Sequence, residues 1–420
     1  MKKSGIHPKQ NCFWLWISVS FVLGMCSIAG SILLIYLDAI IFNESKHRPT
    51  RPTLTQSELM AQRKRKMSEV LTRKRKENEA LVDRMYQRYL SDPDSTMNFL
   101  VLSGGGQHAA FGSGFLLGWS GISESKGKFP RFDGVTGVSS GSLIAPFAYI
   151  GTTESLAKID QIFRNPGKDF VVPRGHLYFL PEQKSLALVP GLERALREYL
   201  TKSFAERIIE ASTPGRLLLI QSTNLDLAFP AIFDFIEASK DSIKQGNTHQ
   251  MVDILLASTA MPGIFPPRVL NGALHVDGGI EGNFYTGGHH PSKAKDTFGA
   301  IWSRKHPNIP IPKTVYWVIL NGNLREPPKT IATEWPKIAA RSLAVSFRSS
   351  EVLALRKLFS IAELTKKRGM GEVEVRWVAI EEPLKKAVFP NIFDETEMRR
   401  LSDLGKRLGA DPSSWNLGVP

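Results

Sequence analysis

Three short stretches of this sequence join glycines to a group that can react or hold an anion. The first is G-V-S-S-G, Gly137 to Gly141, which follows the apolar Phe132 to Val138 and precedes the helix-like Leu143 to Ile150. A serine becomes a nucleophile where a strand turns sharply into a helix, because the turn lifts its hydroxyl out of the sheet, and the crowding there requires small neighbours. Ser139 has that context, with Gly137 and Gly141 as the small flanks, and Ser140 is the fallback one register away. The second stretch is Asp277-Gly278-Gly279, after the apolar Ala273 to Val276. A carboxylate at a strand end beside small residues can approach a serine hydroxyl and accept its proton directly. The third is Gly104-Gly105-Gly106, between an apolar strand and the helical pattern of Gln107 to Trp119. Unobstructed backbone N–H groups at a helix N-terminus suit an oxyanion hole or a phosphate cradle.

Taken singly, each stretch has a plain alternative. A G-x-S-x-G match arises by chance in roughly one chain in four of this Gly and Ser content. Asp-Gly is a common turn, and three glycines can be a tight turn and nothing more. A dinucleotide fingerprint does not fit, since G-G-G-Q-H-A lacks the G-x-G-x-x-G spacing and no acidic ribose ligand stands about 20 residues on. The combination in one α/β domain is what points to acyl chemistry. A Ser-His-Asp arrangement using His289 or His290 is the rival within that chemistry, because both follow the aspartate in a chain order such enzymes show. A membrane scaffold that binds lipid without turnover is the rival outside it.

The elements that must position these residues read as alternating α/β. Short apolar strands are expected at Asn98 to Leu102, Gly134 to Val138, Arg216 to Gln221, Val315 to Leu320 and Val373 to Ile380. Helical patterns separate most of them, including Leu358 to Leu364 and Met398 to Leu408, so a mainly parallel, helix-covered sheet is expected. At 420 residues, 42% hydrophobic and 22% charged, the chain has material for one catalytic domain and an appendage. Three segments follow: 1–42, 43–90 and a catalytic domain over 91–420.

The first segment holds an uncharged apolar run from Cys12 to Leu37, long enough for a single-pass N-terminal membrane anchor. A cleaved signal peptide is the competing reading, given Lys2, Lys3 and Lys9 ahead of the run, and L-G-M-C at 23–26 only loosely matches a lipoprotein cleavage box. Basic residues flank the run on both sides, so its orientation stays open. The second segment carries a linker and a basic helix opened by a capping box at Thr55 to Glu58. Eight Lys/Arg fall between Arg63 and Lys76, and Met60, Met67, Leu71, Leu81, Met85 and Tyr89 recur at roughly helical spacing. Such a helix either packs one stripe on the main domain or lies against anionic headgroups. Residues 1–90 carry a net charge of +9 of the chain's +14, so the body is only mildly basic. The basic clusters lack interleaved aromatic rings, which argues against nucleic acid as a partner. Cys12 and Cys26 are the only cysteines, which excludes a disulfide framework or thiolate metal site in the rest of the chain.

With these residues in place, the sequence resembles the patatin-like phospholipase family over roughly 98–408. Four stretches carry the likeness: S-G-G-G-Q at 103–107, F-D-G-V-T-G-V-S-S-G at 132–141, A-S-T-A-M-P-G-I-F-P-P at 257–267 and V-D-G-G at 276–279. The third has no catalytic logic of its own in its residue types, although Met261 to Pro267 could line an acyl channel. The resemblance implies a three-layer α/β/α fold around a mainly parallel sheet, and a Ser-Asp dyad that cleaves acyl esters of lipids without a metal or other cofactor. It places Ser139 and Asp277 on the dyad and Gly104, Gly105 and Gly106 on the oxyanion loop. Two positions depart from the family pattern: His108-Ala109 stands where Arg-Gly is frequent, and Asn283-Phe284 replaces the usual Asn-x-Pro. The expected partners are a lipid substrate and an anionic membrane surface.

Overall fold

Strand β1, Met97–Leu102, shows in six residues how the molecule is layered. Leu100 and Leu102 point into one apolar cluster, while Met97, Phe99 and Val101 point into another. Successive side chains on a strand face opposite ways, so a strand that is apolar at every position but one must be covered on both faces. The computed structural model describes residues 53–123, 129–174, 183–285, 295–385 and 392–420. The apolar run at 12–37 and the two histidines at 289 and 290 lie outside them. Among the described residues no helix is long and apolar enough to cross a membrane. Gln56–Tyr178 and Lys184–Pro420 make one compact unit, so the basic helix expected in the second segment belongs with the sheet.

The other strands of the main sheet are β2 (Gly134–Val138), β3 (Leu217–Asn224), β4 (Phe229–Asp234), β5 (Arg268–Leu270), β6 (Ala273–Asp277), β7 (Thr314–Ile319) and β8 (Val373–Val378). Their order is β8-β7-β1-β2-β3-β6-β5, with β4 on the other edge of β3. The pairs β8–β7, β7–β1, β1–β2 and β2–β3 are parallel, as the apolar runs predict, and the pairs beyond β3 are antiparallel. The β5–β6 hairpin turns at Asn271 and Gly272, both at positive φ (51° and 77°), which is the Asn-Gly signature of a tight hairpin.

The helices are α1 (Gln56–Ser91), α2 (Ala109–Ser120), α3 (Ser140–Ile150), α4 (Thr153–Arg164), α5 (Pro190–Tyr199), α6 (Lys202–Ala211), α7 (Phe235–Gln245), α8 (His249–Ser258), α9 (Phe298–Lys305), α10 (Trp335–Lys367) and α11 (Glu395–Gly409). Residues of α2 to α8 and α11 build the cluster with Leu100 and Leu102; α1, α9 and α10 build the one with Phe99 and Val101. Gly114 and Gly118 of α2 face the backbone of α11, and Gly405 and Gly409 of α11 face that of α2, so a Cβ at any of the four would collide with main chain. That close approach holds α2, and the glycine loop ahead of it, at a fixed place on the sheet.

One feature of β3 positions the site. Residues 217–221 pair with β2 in parallel, and residues 222–224 continue along the same edge but pair with β6 in the opposite direction. Strands β2 and β6 therefore meet end to end, with Val138 level with Gln221 and Asp277 level with the next residue, Ser222.

Candidate active site

At the end of β2 the chain must leave the sheet and start α3 within one residue. Ser139 makes that turn at φ 52° and ψ −131°, a left-handed region that non-glycine residues seldom enter. The turn fits only because its flanks are small: a Cβ on Gly137 would come within 2.6 Å of the Gly141 carbonyl oxygen, and one on Gly141 within 2.5 Å of the Ser103 carbonyl oxygen. Strain of this kind costs about 1–3 kcal/mol and persists only where the surroundings enforce it. Here Ser258, the last residue of α8, enforces it. Its Oγ accepts the Ser139 N–H at 3.0 Å and donates to the Gln221 carbonyl at 2.7 Å. The Ser139 carbonyl in turn accepts from the amide of Ser142 (2.9 Å) and from its Oγ.

The hydroxyl so presented donates to Asp277 Oδ2 at 2.6 Å. Ser139 is 9% exposed and Asp277 2% exposed. Asp277 is fixed from several directions: its N–H donates to the Ala260 carbonyl (2.8 Å), its carbonyl accepts from Thr223 Oγ1 (2.9 Å), and its Oδ1 accepts from the Gly279 N–H (2.8 Å). Gln221 Nε2 donates to the carbonyls of Gly278 and Gly282 and holds the turn after the aspartate. Burial pushes the Asp277 carboxyl up to about 6, and the hydrogen bonds from Ser139 and Gly279 offset only part of that rise. A contact this short leaves no space for an imidazole between hydroxyl and carboxylate. Ser140 begins α3, and its buried Oγ has no hydrogen-bond partner among the described residues.

The glycine loop passes beside this pair. A Cβ on Gly104 would meet Asn283 Oδ1 and lie 2.8 Å from Ser139 Cβ, so the backbone approaches Ser139 as closely as it can. The Gly104 N–H is committed to the Asn283 carbonyl at 3.2 Å. The amides of Gly105 and Gly106 donate to no group among the described residues, and Gly106 is at φ 58°. Asn321 braces the loop: its Nδ2 donates to the Ser103 carbonyl (2.7 Å), its N–H donates to Ser103 Oγ (2.9 Å), and its Oδ1 accepts from the Gly112 N–H (3.2 Å). His108, at the start of α2, is held down to about 4 by burial first and by the Arg348 guanidinium second, so it is a neutral imidazole at physiological pH.

Ser258, Gln221, Asn283 and Asn321 are absent from a reading of the sequence for reactive groups, because none of them reacts. Two had a signal nonetheless. Ser258 and Ala260 fall inside A-S-T-A-M-P, the stretch without chemistry of its own, and they turn out to bind the backbone of Ser139 and of Asp277 respectively. Asn283 marks one of the two departures from the family pattern. Met261, Ile264 and Phe265 are half-buried, with Phe265 packed on the core cluster of α2 to α8. No group of three or more His, Cys, Asp or Glu arranged to hold a metal occurs among the described residues.

Residues 100–287 match the family model described as patatin-like phospholipase. No curated protein matches the chain. Among solved structures, VipD from Legionella pneumophila aligns at 10% identity and a TM-score of 0.30, covering 76% of this chain and 67% of that one, a likeness too slight to carry any argument.

Proposed function

We propose that this chain, whose residues 100–287 match the patatin-like phospholipase family model, is an enzyme of lipid ester hydrolysis with Ser139 and Asp277 as its catalytic dyad. The observation that carries the proposal is the 2.6 Å hydrogen bond from Ser139 Oγ to Asp277 Oδ2. Asp277 takes the hydroxyl proton as Ser139 Oγ attacks the acyl carbonyl carbon, and the carbonyl oxygen gains the negative charge. The free amides of Gly105 and Gly106 and the N-terminus of α3 are the groups available to hold that oxyanion, each donor worth about 3 kcal/mol. Gly104 supplies the close approach, its own amide being engaged by Asn283. The protonated Asp277 then returns the proton to the leaving alcohol, and the acyl group stays on Ser139. In the second half Asp277 accepts a proton from water, the hydroxide oxygen attacks the acyl carbon, and the fatty acid leaves as the proton passes back to Ser139.

Covalent labelling by a fluorophosphonate tests the nucleophile, and mass spectrometry of lipids incubated with the protein tests the reaction. Ser139→Ala should abolish labelling, and Ser139→Ala and Asp277→Asn should each lower turnover by at least about a thousand-fold in folded protein. Full turnover by either variant removes the dyad, and an unlabelled, folded wild type favours a lipid-binding scaffold instead.

A further inference from the structure

Helix α1 runs against the direction of the parallel strands. Near its C-terminus Arg84 and Arg88 pair with Asp133, the residue just ahead of β2, at the end of the sheet far from the dyad. Further back, Arg73 donates to the carbonyl of Ile232 (3.0 Å), and Ile232 is in register with Gln221, level with Val138 beside the nucleophile. Lys74 lies over the ring of Tyr285, whose carbonyl accepts from Thr136 of β2. Residues 56–72 of the same helix continue past that level, a further 25 Å or so at about 1.5 Å per residue. Helix α10 runs in the same sense. Its foot is fixed where Met370 meets Gly299 and the Glu372 carbonyl accepts from the first amide of β7, whereas Phe347 packs on Gly279 beside Asp277. Residues 337–346 of α10 therefore also run out beyond the catalytic end.

What these two ends present to solvent is consistent in kind. On α1, Met60, Met67 and Leu71 are 57%, 46% and 36% exposed, among the exposed Arg63, Lys64, Arg65 and Lys66. Arg65 and Lys66 share Glu69, and Arg63 and Lys64 have no carboxylate partner among the described residues. On α10, Ile338 and Val345 are 47% and 40% exposed. Elsewhere on the two helices Leu81, Val82 and Met85 of α1 are buried, whereas Leu90 of α1 and Leu353 and Leu364 of α10 are 60%, 64% and 50% exposed, so what sets the projecting end of α1 apart is the basic cluster beside its exposed apolar residues.

We propose that the projecting ends of α1 and α10 form a docking surface for an anionic lipid bilayer, oriented so that the catalytic end of the sheet faces the bilayer. This rests on the reading of the chain as an enzyme of lipid ester hydrolysis, to which it adds where the substrate is met. Basic residues near an anionic surface each contribute about a five-fold factor in binding, and aliphatic and methionine side chains enter the headgroup boundary while Lys and Arg stems reach back to the phosphates. Residues 56–72 contain no aromatic ring, so the stacking that a single-stranded nucleic acid requires is missing.

The test uses the full chain with Cys12→Ser and Cys26→Ser, carrying a fluorophore at one introduced cysteine: Met67→Cys, Ile338→Cys or, at the opposite end, Asp94→Cys. Vesicles of phosphatidylcholine bearing a lipid-attached quencher are used with and without phosphatidylglycerol. Quenching is expected at positions 67 and 338, stronger with phosphatidylglycerol, and absent at 94. Reversing the cluster (Arg63→Glu, Lys64→Glu, Arg65→Glu, Lys66→Glu) should remove the quenching at 67 and slow hydrolysis of vesicle lipid by at least about ten-fold, leaving a soluble short-chain ester hydrolysed at the original rate. Position 94 quenched as strongly as 67 and 338, quenching indifferent to phosphatidylglycerol, or displacement from vesicles by a single-stranded oligonucleotide would each overturn the proposal. If the wild type leaves every ester intact while the quenching pattern appears as expected, the hydrolase reading fails and the docking surface stands.

Discussion

A carboxylate that touches a serine hydroxyl directly has to supply all the basicity of the reaction. In water an aspartate at its ordinary value of 3.8 would be too weak for that. Burial corrects it by disfavouring the charged form, which puts the Asp277 carboxyl near 6 while keeping it ionised at neutral pH. The base must be unprotonated, so kcat/KM for a soluble ester should rise about ten-fold per pH unit up to about 6 and then level off; a pH–rate profile flat from 4 to 8 would remove Asp277 as the base. The same shift has a cost in stability. Because the folded protein holds this proton more tightly than the unfolded chain does, its contribution is present below 3.8 and is lost as pH rises through about 6. Replacement by a neutral isostere should recover it: Asp277→Asn should gain stability relative to wild type on going from pH 4 to pH 8, by up to about 3 kcal/mol. Denaturant melts at the two pH values measure the difference, and an unchanged gap contradicts the burial argument.

At the scale of elements, two strands that meet end to end on one edge of β3 put residues 138 positions apart into contact. The join is sealed by the end of α8, where Ser258 ties the Ser139 amide to β3 and Ala260 receives the amide of Asp277. Ser258→Ala leaves the buried Ser139 N–H without its acceptor and frees a strained turn. Such a loss costs about 1–3 kcal/mol. We expect kcat to fall by about ten- to a hundred-fold with KM little changed, since the substitution mispositions the hydroxyl and Ser258 is itself buried. Ser258→Thr, which keeps the oxygen, should restore part of the rate, and equal activity in Ser258→Ala would show that the turn holds without it.

Over the whole molecule, α1 is bound to the sheet mainly through its C-terminal half. Asp133 is fully buried and takes Arg84, Arg88 (2.9 Å) and the amide of Asn98 (2.7 Å), joining the helix to the first residues of β1 and β2. Removing one member of a buried ion pair typically costs 3–5 kcal/mol because the partner charge stays behind. Asp133→Asn should therefore destabilise the fold by about 3 kcal/mol and raise hydrogen exchange along the C-terminal turns of α1 before the strands; retention of full protection in α1 would show that its apolar stripe suffices.

The residues that meet at the candidate site were legible in the sequence because their types are rare in combination. A serine between glycines after an apolar strand, an aspartate opening a glycine turn and three glycines ahead of a helix each answer a local demand of backbone geometry, and local demands are written in neighbouring residues. The parallel strands were legible for the same reason, since a strand covered on both faces reads as an unbroken apolar run. Strand β4 was not, because its half-buried F-P-A-I-F-D carries a proline and no clean alternation, and the β5–β6 hairpin rested on an Asn-Gly turn easily passed over. What only the tertiary structure decided was distance: that the ends of β2 and β6 meet, that Ser258 reaches the Ser139 amide, that Gly104 spends its N–H on Asn283, and that α1 extends past the catalytic end. Each depends on how strands pair across more than a hundred residues of chain, and the energy that selects one pairing is summed over the whole packed sheet and is not held in any short stretch.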